Sequence, residues 1–325
     1  MKLDKFVLAL TGTVILAWLF PQTSSDLTGT ILKHASTLGI ALIFFFYGLK
    51  LSADKIKQGL GNWRLHLLVQ SATFIIFPFI IILFRPFIQS EQQEILWLGL
   101  FFLAALPSTV SSSVVMVSMG RGNIPAAIFN ASISGIIGIV ITPIWMGLFM
   151  QQTATGFDFS DIYVRLIIQI IVPVIAGIIL QSRWHHLTIK YRRGLSIFDK
   201  TVILIIVYNS FARSFSDQVF SSVKVTDLVI LLTIVIALFF LIYGIIFAIT
   251  GLFRFSKEDR ITALFCGSQK SLVHGSVFAR VLFSGFAYAG IILVPLMLFH
   301  ALQIFITSII AEKYGKREDD NSLSK

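Results

Sequence analysis

Phe265-Cys-Gly-Ser-Gln-Lys-Ser-Leu-Val-His-Gly275 lies inside an apolar segment, and its reading decides the fold. It sets Gly267, the hydroxyls of Ser268 and Ser271, the amide of Gln269 and a full charge at Lys270 among hydrocarbon side chains. A lysine deep in hydrocarbon costs ~2.5–3.5 kcal/mol on insertion scales, so it reads first as functional, with snorkelling to the surface as the alternative.

The surroundings make hydrocarbon the right solvent. Of 325 residues, 56% are hydrophobic and only 13% charged, and mean hydropathy is +0.87; soluble domains carry roughly a quarter charged residues. The apolar runs are far longer than the alternating ~10-residue segments of a membrane barrel, so they read as helices. The chain is an all-α integral membrane protein with the lipid bilayer as its environment. A net charge of +10 would suggest nucleic acid for a soluble protein, but here the placement of the charges speaks for topology and against nucleic acid. The single cysteine, Cys266, excludes an intramolecular disulfide and a four-cysteine zinc site, and reads as a small buried residue. No metal motif, Ser-His-Asp set or paired carboxylates occur at membrane depth, which argues against an enzyme. The stretch from Phe6 to Phe20 reads as a first spanning helix, since Pro21 ends it and no small-residue cleavage site follows.

Ten transmembrane helices result, here numbered as spans: Phe6 to Phe20, Ala35 to Leu51, Trp63 to Phe84, Leu96 to Met119, Ile124 to Phe149, Ile162 to Leu180, Thr201 to Phe215, Asp227 to Phe253, Asp259 to Phe283 and Tyr288 to Ile310. A basic loop, Arg183 to Lys200, joins spans 6 and 7, and residues 312–325 form a polar, disordered tail. Pro78 predicts a kink in span 3. Span 4 is interrupted at Leu106-Pro-Ser-Thr109, where proline frees a carbonyl that hydroxyls or a ligand can satisfy. Of 26 Lys and Arg, nineteen fall on the side bearing both termini, five on the other and two within helices. Both termini are therefore expected in the cytoplasm, with the protein in a plasma membrane, a bacterial inner membrane by preference.

Spans 4 and 9 are the two broken by polar residues with Gly or Pro, and spans 5 and 10 each carry a proline past a polar patch, Pro143 and Pro295. Five helices per half would set the halves in opposite orientation. The expectation is two inverted five-helix repeats, residues 1–150 and 151–311, whose broken helices cross near the midplane and build the site, as in secondary transporters.

Gly48-Leu-Lys-Leu51, the hairpin from Ser111 to Arg121-Gly-Asn123, Leu-Pro-Ser-Thr-Val-Ser-Ser-Ser from Leu106, and Gly267-Ser-Gln-Lys-Ser271 together resemble the bile acid:sodium symporter superfamily, and within it the SBF-like branch. The resemblance covers roughly Phe6 to Ile310. It implies a core domain of spans 3–5 and 8–10 moving against a panel of spans 1, 2, 6 and 7. In sodium-coupled members of the superfamily, sodium ions sit at the crossing of helices 4 and 9 on hydroxyl, amide and carbonyl oxygens and a glutamate. The resemblance places that glutamate at Phe265, an asparagine at Val114 and a glutamine at Thr73, with Gln70 one turn earlier. None of the sixteen acidic residues lies at membrane depth, so a sodium site of neutral oxygens beside Lys270 would be electrostatically poor.

The candidate substrate and ion residues are Gln70, Thr73, Ser108, Thr109, Ser111, Ser112, Ser113, Asn130, Ser132, Ser268, Gln269, Lys270, Ser271 and His274, with Ser113, Asn130 and Gln269 as the sodium subset if sodium binds. Lys270 could lie against the carbonyl end of a half-helix in place of sodium and exchange a proton during the cycle, or merely bridge carbonyls to hold the crossing together. Half-helix N-termini and Lys270 favour an organic anion as substrate. No cofactor is implied beyond Na+ or H+ as coupling ion. The rival readings are a sodium symporter with a modified site and a non-transporting regulatory or accessory membrane protein, in calcium handling or envelope assembly. Among lesser candidates, His274 either titrates beside Lys270 or is neutral. His300 and Gln303 read as interhelical hydrogen bonds, Arg165 as a snorkelling side chain, His185 and His186 as parts of the basic loop that faces anionic lipid. Asn209 and Ser210 read as facing the path between the domains.

Overall fold

The computed structural model describes residues 5–21, 27–50, 60–153, 164, 167–222, 224–283 and 286–316. They form helices α1 (Lys5–Leu19), α2 (Leu27–Lys50), α3 (Trp63–Ser71), α4 (Phe77–Ile82), α5 (Glu91–Ala105), α6 (Ser111–Met119), α7 (Ile124–Thr153), α8 (Val172–Lys190), α9 (Arg192–Ser216), α10 (Val225–Leu252), α11 (Lys257–Ser268), α12 (Leu272–Leu282) and α13 (Ala289–Gly315), with no strand among the described residues. Seven stretches are long and apolar enough to cross a membrane, which makes this a multi-pass membrane protein: Thr30–Lys50, Trp63–Phe87, Ile124–Met150, Ile167–Trp184, Arg192–Ser216, Val225–Leu252 and Ala289–Gly315. α1 is apolar but shorter, and α5, α6, α11 and α12 are half-length pieces on either side of two breaks.

Proline explains much of the irregular backbone. α3 and α4 are joined by a π turn, Ala72–Ile76, just before Pro78, and a second π turn, Ile167–Ile171, precedes Pro173 at the start of α8. A proline has no N–H for the carbonyl four residues back, and widening the turn is one way to accommodate the loss. Leu106, forced out of the helical region by Pro107, is extended (φ −74, ψ 152) and ends α5.

Two expectations are corrected. Arg183 to Lys200 is not a loop: α8 runs to Lys190, Tyr191 alone makes the turn, and α9 begins at Arg192. The segment has no proline, and Lys, Arg and Leu are good helix formers, so polar composition was no reason to end a helix. His186 and the backbone of His185 are helical for the same reason. Likewise the tail does not begin at residue 312, because α13 continues through Glu312 to Gly315, with a Glu312–Lys316 ion pair one turn apart at 2.6 Å. Asp199 thus lies within α9, 3.6 Å from Lys50 at the end of α2. Arg165 lies outside the described residues.

α2 and α8 make the most extensive helix pair, backbone against backbone. A Cβ on Gly48 would sit 3.1 Å from the Cα of Gly177, and one on Gly177 would sit 3.0 Å from the Cα of Gly48. Small residues permit that approach where lipid gives no hydrophobic drive between helices. α1 packs on α9, and Asn209 of α9 donates to Ser36 Oγ of α2 (3.2 Å), while Ser210 bonds back to Ile206 O. The remaining helices gather around the two breaks, with α13 against α5 and α6 and α10 against α11. The Arg-Gly-Asn turn is docked: Asn123 Nδ2 and Asn62 Nδ2 donate to the two carboxylate oxygens of Asp259, at 2.9 and 2.7 Å, in the first turn of α11.

Candidate functional site

The two breaks meet. α11 ends at Ser268, Gln269 is extended (φ −98, ψ 148), and Ser271 caps α12 by accepting from the His274 N–H (3.2 Å). Between α5 and α6, residues 106–110 are non-helical. The Ser271 N–H donates to Pro107 O (2.9 Å), Ser108 Oγ donates to Cys266 O (2.5 Å), and Ser112 Oγ donates to Gln269 Oε1 (2.8 Å). Each break thereby satisfies part of the backbone or amide of the other, as a buried non-helical segment requires.

Lys270 lies at the centre, fully buried. Its Nζ donates to Thr73 O (2.7 Å), Ala104 O (2.6 Å) and Leu106 O (2.8 Å), and sits 4.1 Å from the centroid of the Phe77 ring. Three N–H groups meet three carbonyls, which is the full donor set of an ammonium. Each carbonyl is free for a local reason. In an α-helix Thr73 O would receive the Phe77 N–H, but across the π turn that N–H goes to Ala72 O, and the next residue, Pro78, has none. Ala104 O would receive the Ser108 N–H, which goes instead to Ser134 Oγ (2.9 Å). Leu106 O lies in the break itself. Ala105 O takes Thr142 Oγ1 (2.8 Å) and Pro107 O takes the Ser271 N–H, so four consecutive carbonyls, 104 to 107, are served by three donor groups, with Lys270 Nζ bridging the first and third.

α13 reads the other side of the lysine. Gln303 Oε1 accepts the Lys270 backbone N–H and Gln303 Nε2 donates to Lys270 O, both at 2.8 Å, so one amide grips both backbone polar groups of the residue. The same Nε2 lies 3.0 Å from His300 Nδ1, which orients the amide. One turn on, Thr307 Oγ1 accepts from Gln269 Nε2 at 3.4 Å.

A profile of the SBF-like CPA transporter family matches residues 4–316. The chain belongs to that family. It is 36% identical over 321 residues to protein PA2026 of Pseudomonas aeruginosa, covering 98% of this chain and 94% of that one. It is 31% identical over 317 residues to YfeH of Escherichia coli, with the same coverage. It is 30% identical over 277 residues to sodium/bile acid cotransporter 7 of mouse, covering 85% and 81%. The SBF-like family is thus one of transporters, not enzymes.

In this SBF-like protein the predicted site residues fall into three groups. Ser108, Thr109, Ser112, Ser113, Ser268, Gln269, Lys270, Ser271 and His274 come together at the crossing, with Ser113 donating to Thr109 O and Ser268 to Leu264 O (2.6 Å). Ser111 opens α6. Thr73 joins through its carbonyl, while its hydroxyl is spent on Val69 O (2.8 Å). Gln70 and Asn130 form a separate pair: Gln70 Nε2 donates to Asn130 O and Oδ1 (3.2 and 3.3 Å), and Asn130 shares no hydrogen bond with Ser113 or Gln269. Ser132 contributes its carbonyl, which accepts from Tyr47 Oη (2.5 Å).

Sequence reasoning missed Tyr47, Ser134, Thr142 and Thr307, and gave Gln303 only an unspecified interhelical bond. Tyr47 crosses from α2 to α7, and its ring meets that of His274 edge-on at 5.4 Å; Gly135 leaves the room, since a Cβ there would overlap the Tyr47 hydroxyl. The intramembrane hydroxyls and amide of α7 and α13 were visible as polar residues on apolar helices, but nothing in the sequence said which break each one served. Phe265, where the resemblance expects a glutamate, is fully buried against the Tyr314 ring. Among the described residues no group of three His, Cys, Asp or Glu could hold a metal ion, and the charged group at the crossing is Lys270.

Proposed function

We propose that this protein is a secondary transporter of a small organic anion in which Lys270 stands as a tethered cation and couples transport to protons in place of sodium. The observation that carries the reading is the carbonyl cage. Thr73 O, Ala104 O and Leu106 O surround a single positive charge at 2.6 to 2.8 Å, at the meeting of two helix breaks, with no carboxylate among their partners. Three backbone dipoles stabilise a cation there, and a second, mobile cation beside the ammonium would be repelled. A neutral amine has two N–H groups and a lone pair, so losing the proton would leave one carbonyl facing that lone pair. Protonation is in this way tied to the joining of the α3–α4 π turn, the end of α5 and the α11–α12 break, which is what a coupling group needs.

The reading takes the chain as ten membrane-crossing helices, α3–α4, α5–α6 and α11–α12 each counting as one. Residues 1–150 and 151–311 are inverted repeats, with both termini cytoplasmic in a plasma membrane. An anion fits because the N-terminal ends of α6 and α12 open at the crossing and lend partial positive charge. The ammonium spends its N–H groups on carbonyls, so it would act on the substrate through its field and not by contact. The bile acid transport that names a relative makes a bile salt the first probe.

The test is uptake of labelled taurocholate and other organic anions by the protein in liposomes, under imposed pH or sodium gradients. An inward proton gradient should drive uptake without sodium, and Lys270→Gln should remove the dependence on pH. Uptake that requires sodium, or a Lys270→Gln protein with unchanged pH dependence, refutes the coupling.

A further inference from the structure

The elbow between α8 and α9 carries charge and apolar surface that the transport site does not use. The apolar stretch of α8 ends at Trp184, yet the helix runs on to Lys190, turns at Tyr191 (φ −102, ψ 21), and α9 starts at Arg192. Arg183, Lys190, Arg192 and Arg193 are all exposed there, and no ion pair among the described residues involves them. The acid in this segment, Asp199, is bound to Lys50.

Two features are unfavourable for such an elbow in water. α9 opens on two arginines with no acid in its first turn, so positive side chains meet the positive end of the helix dipole. Trp184, Ile189, Tyr191 and Ile197 are 43%, 66%, 54% and 57% exposed, interleaved with the bases and, from Ile189 onward, past the apolar stretch of α8. A layer of anionic headgroups relieves both. Phosphates offset the arginines at the helix start, guanidinium groups bind them bidentately, and the large apolar side chains sit at the boundary between headgroup and acyl chain.

We propose that the α8–α9 elbow is an interfacial binding site for anionic phospholipid, formed by Arg183, Lys190, Arg192 and Arg193 with Trp184 and Tyr191 as its apolar seat. Its place on the molecule does not depend on the coupling ion or on the transported solute.

Trp184 supplies the test. The full-length protein is reconstituted in phosphatidylcholine vesicles containing either brominated phosphatidylglycerol or brominated phosphatidylcholine at equal mole fraction. The Trp184 contribution is the difference between the parent and Trp184→Phe, which keeps an aromatic ring against Phe45. Quenching by the brominated phosphatidylglycerol should exceed that by the phosphatidylcholine at least twofold, and the preference should shrink in high salt. Replacing Arg183, Lys190, Arg192 and Arg193 by Gln should abolish the preference while quenching by phosphatidylcholine persists. Equal quenching of the parent by the two lipids would show an elbow in lipid without headgroup selection, and absence of quenching would place it in water; either result overturns the proposal.

Discussion

Replacing Lys270 by methionine keeps an unbranched chain of similar length and removes the charge with its three donors. Thr73 O, Ala104 O and Leu106 O then have no partner, at about 1–3 kcal/mol for each buried group left unsatisfied, or about 3–9 kcal/mol together. The contact with the Phe77 ring goes too, worth about 2 kcal/mol when desolvated. Against this, an ammonium no longer has to be taken out of water, a relief of several kcal/mol. The loss wins because the backbone cannot repair it: Pro78 has no N–H to offer Thr73 O, and the Ser108 N–H is held by Ser134. A net destabilisation of about 2–5 kcal/mol follows. Scaling from the 2–4 °C per kcal/mol of 150–250-residue domains, the thermal midpoint in detergent should fall by roughly 4–20 °C.

Lys270→Ala separates the cage from the side chain. It leaves a hole lined by the same three carbonyls, which methylammonium can fill with its own three N–H groups. Methylammonium should raise the midpoint of this variant with the logarithm of its concentration above Kd, reaching about 2.7 kcal/mol of stabilisation at one hundred times its Kd, and leave the parent unmoved. Tetramethylammonium, with no N–H, should do nothing. A Lys270→Met protein as stable as the parent, or a Lys270→Ala protein that responds equally to both cations, would refute the cage as a cation site.

Gln303→Leu strips the Lys270 N–H and C=O of their partners and should cost about 2–6 kcal/mol, with faster hydrogen exchange at the Lys270 amide. Thr307→Val removes the long 3.4 Å contact from Gln269 and the hydroxyl's bond back to Gln303 O (2.5 Å), and leaves both Gln303 bonds to Lys270 in place, so it should cost less than Gln303→Leu, about 1 kcal/mol. Asp259→Ala cuts the bond that docks the α6–α7 turn through Asn123 and the one that holds Asn62 at the start of α3, a loss of about 2–3 kcal/mol, and should speed tryptic cleavage after Arg121; Asp259→Asn should retain about half of the effect of the native residue.

Much of this protein was legible in the chain because lipid leaves so few choices. A run such as Val225–Leu252 can satisfy its backbone in hydrocarbon only as a helix, and Leu106-Pro107 cannot continue one, so the spanning segments and the first break follow from local chemistry. Polar character alone misplaced the ends of α8, α9 and α13, because lysine, arginine and glutamate are good helix formers outside the membrane. The charge of Lys270 and the absence of acids near it were likewise plain from composition and order. Which carbonyls receive that charge was not. Thr73, Ala104 and Leu106 are ordinary residues whose backbone oxygens matter only because a π turn, a proline and a borrowed serine hydroxyl leave them open within reach of one side chain. Tyr47, Gln303 and Ser134 gain their roles in the same manner, from helices distant in sequence. A single sequence states where a backbone bond must be missing, and only the packing of the helices decides which donor, from which part of the chain, supplies it.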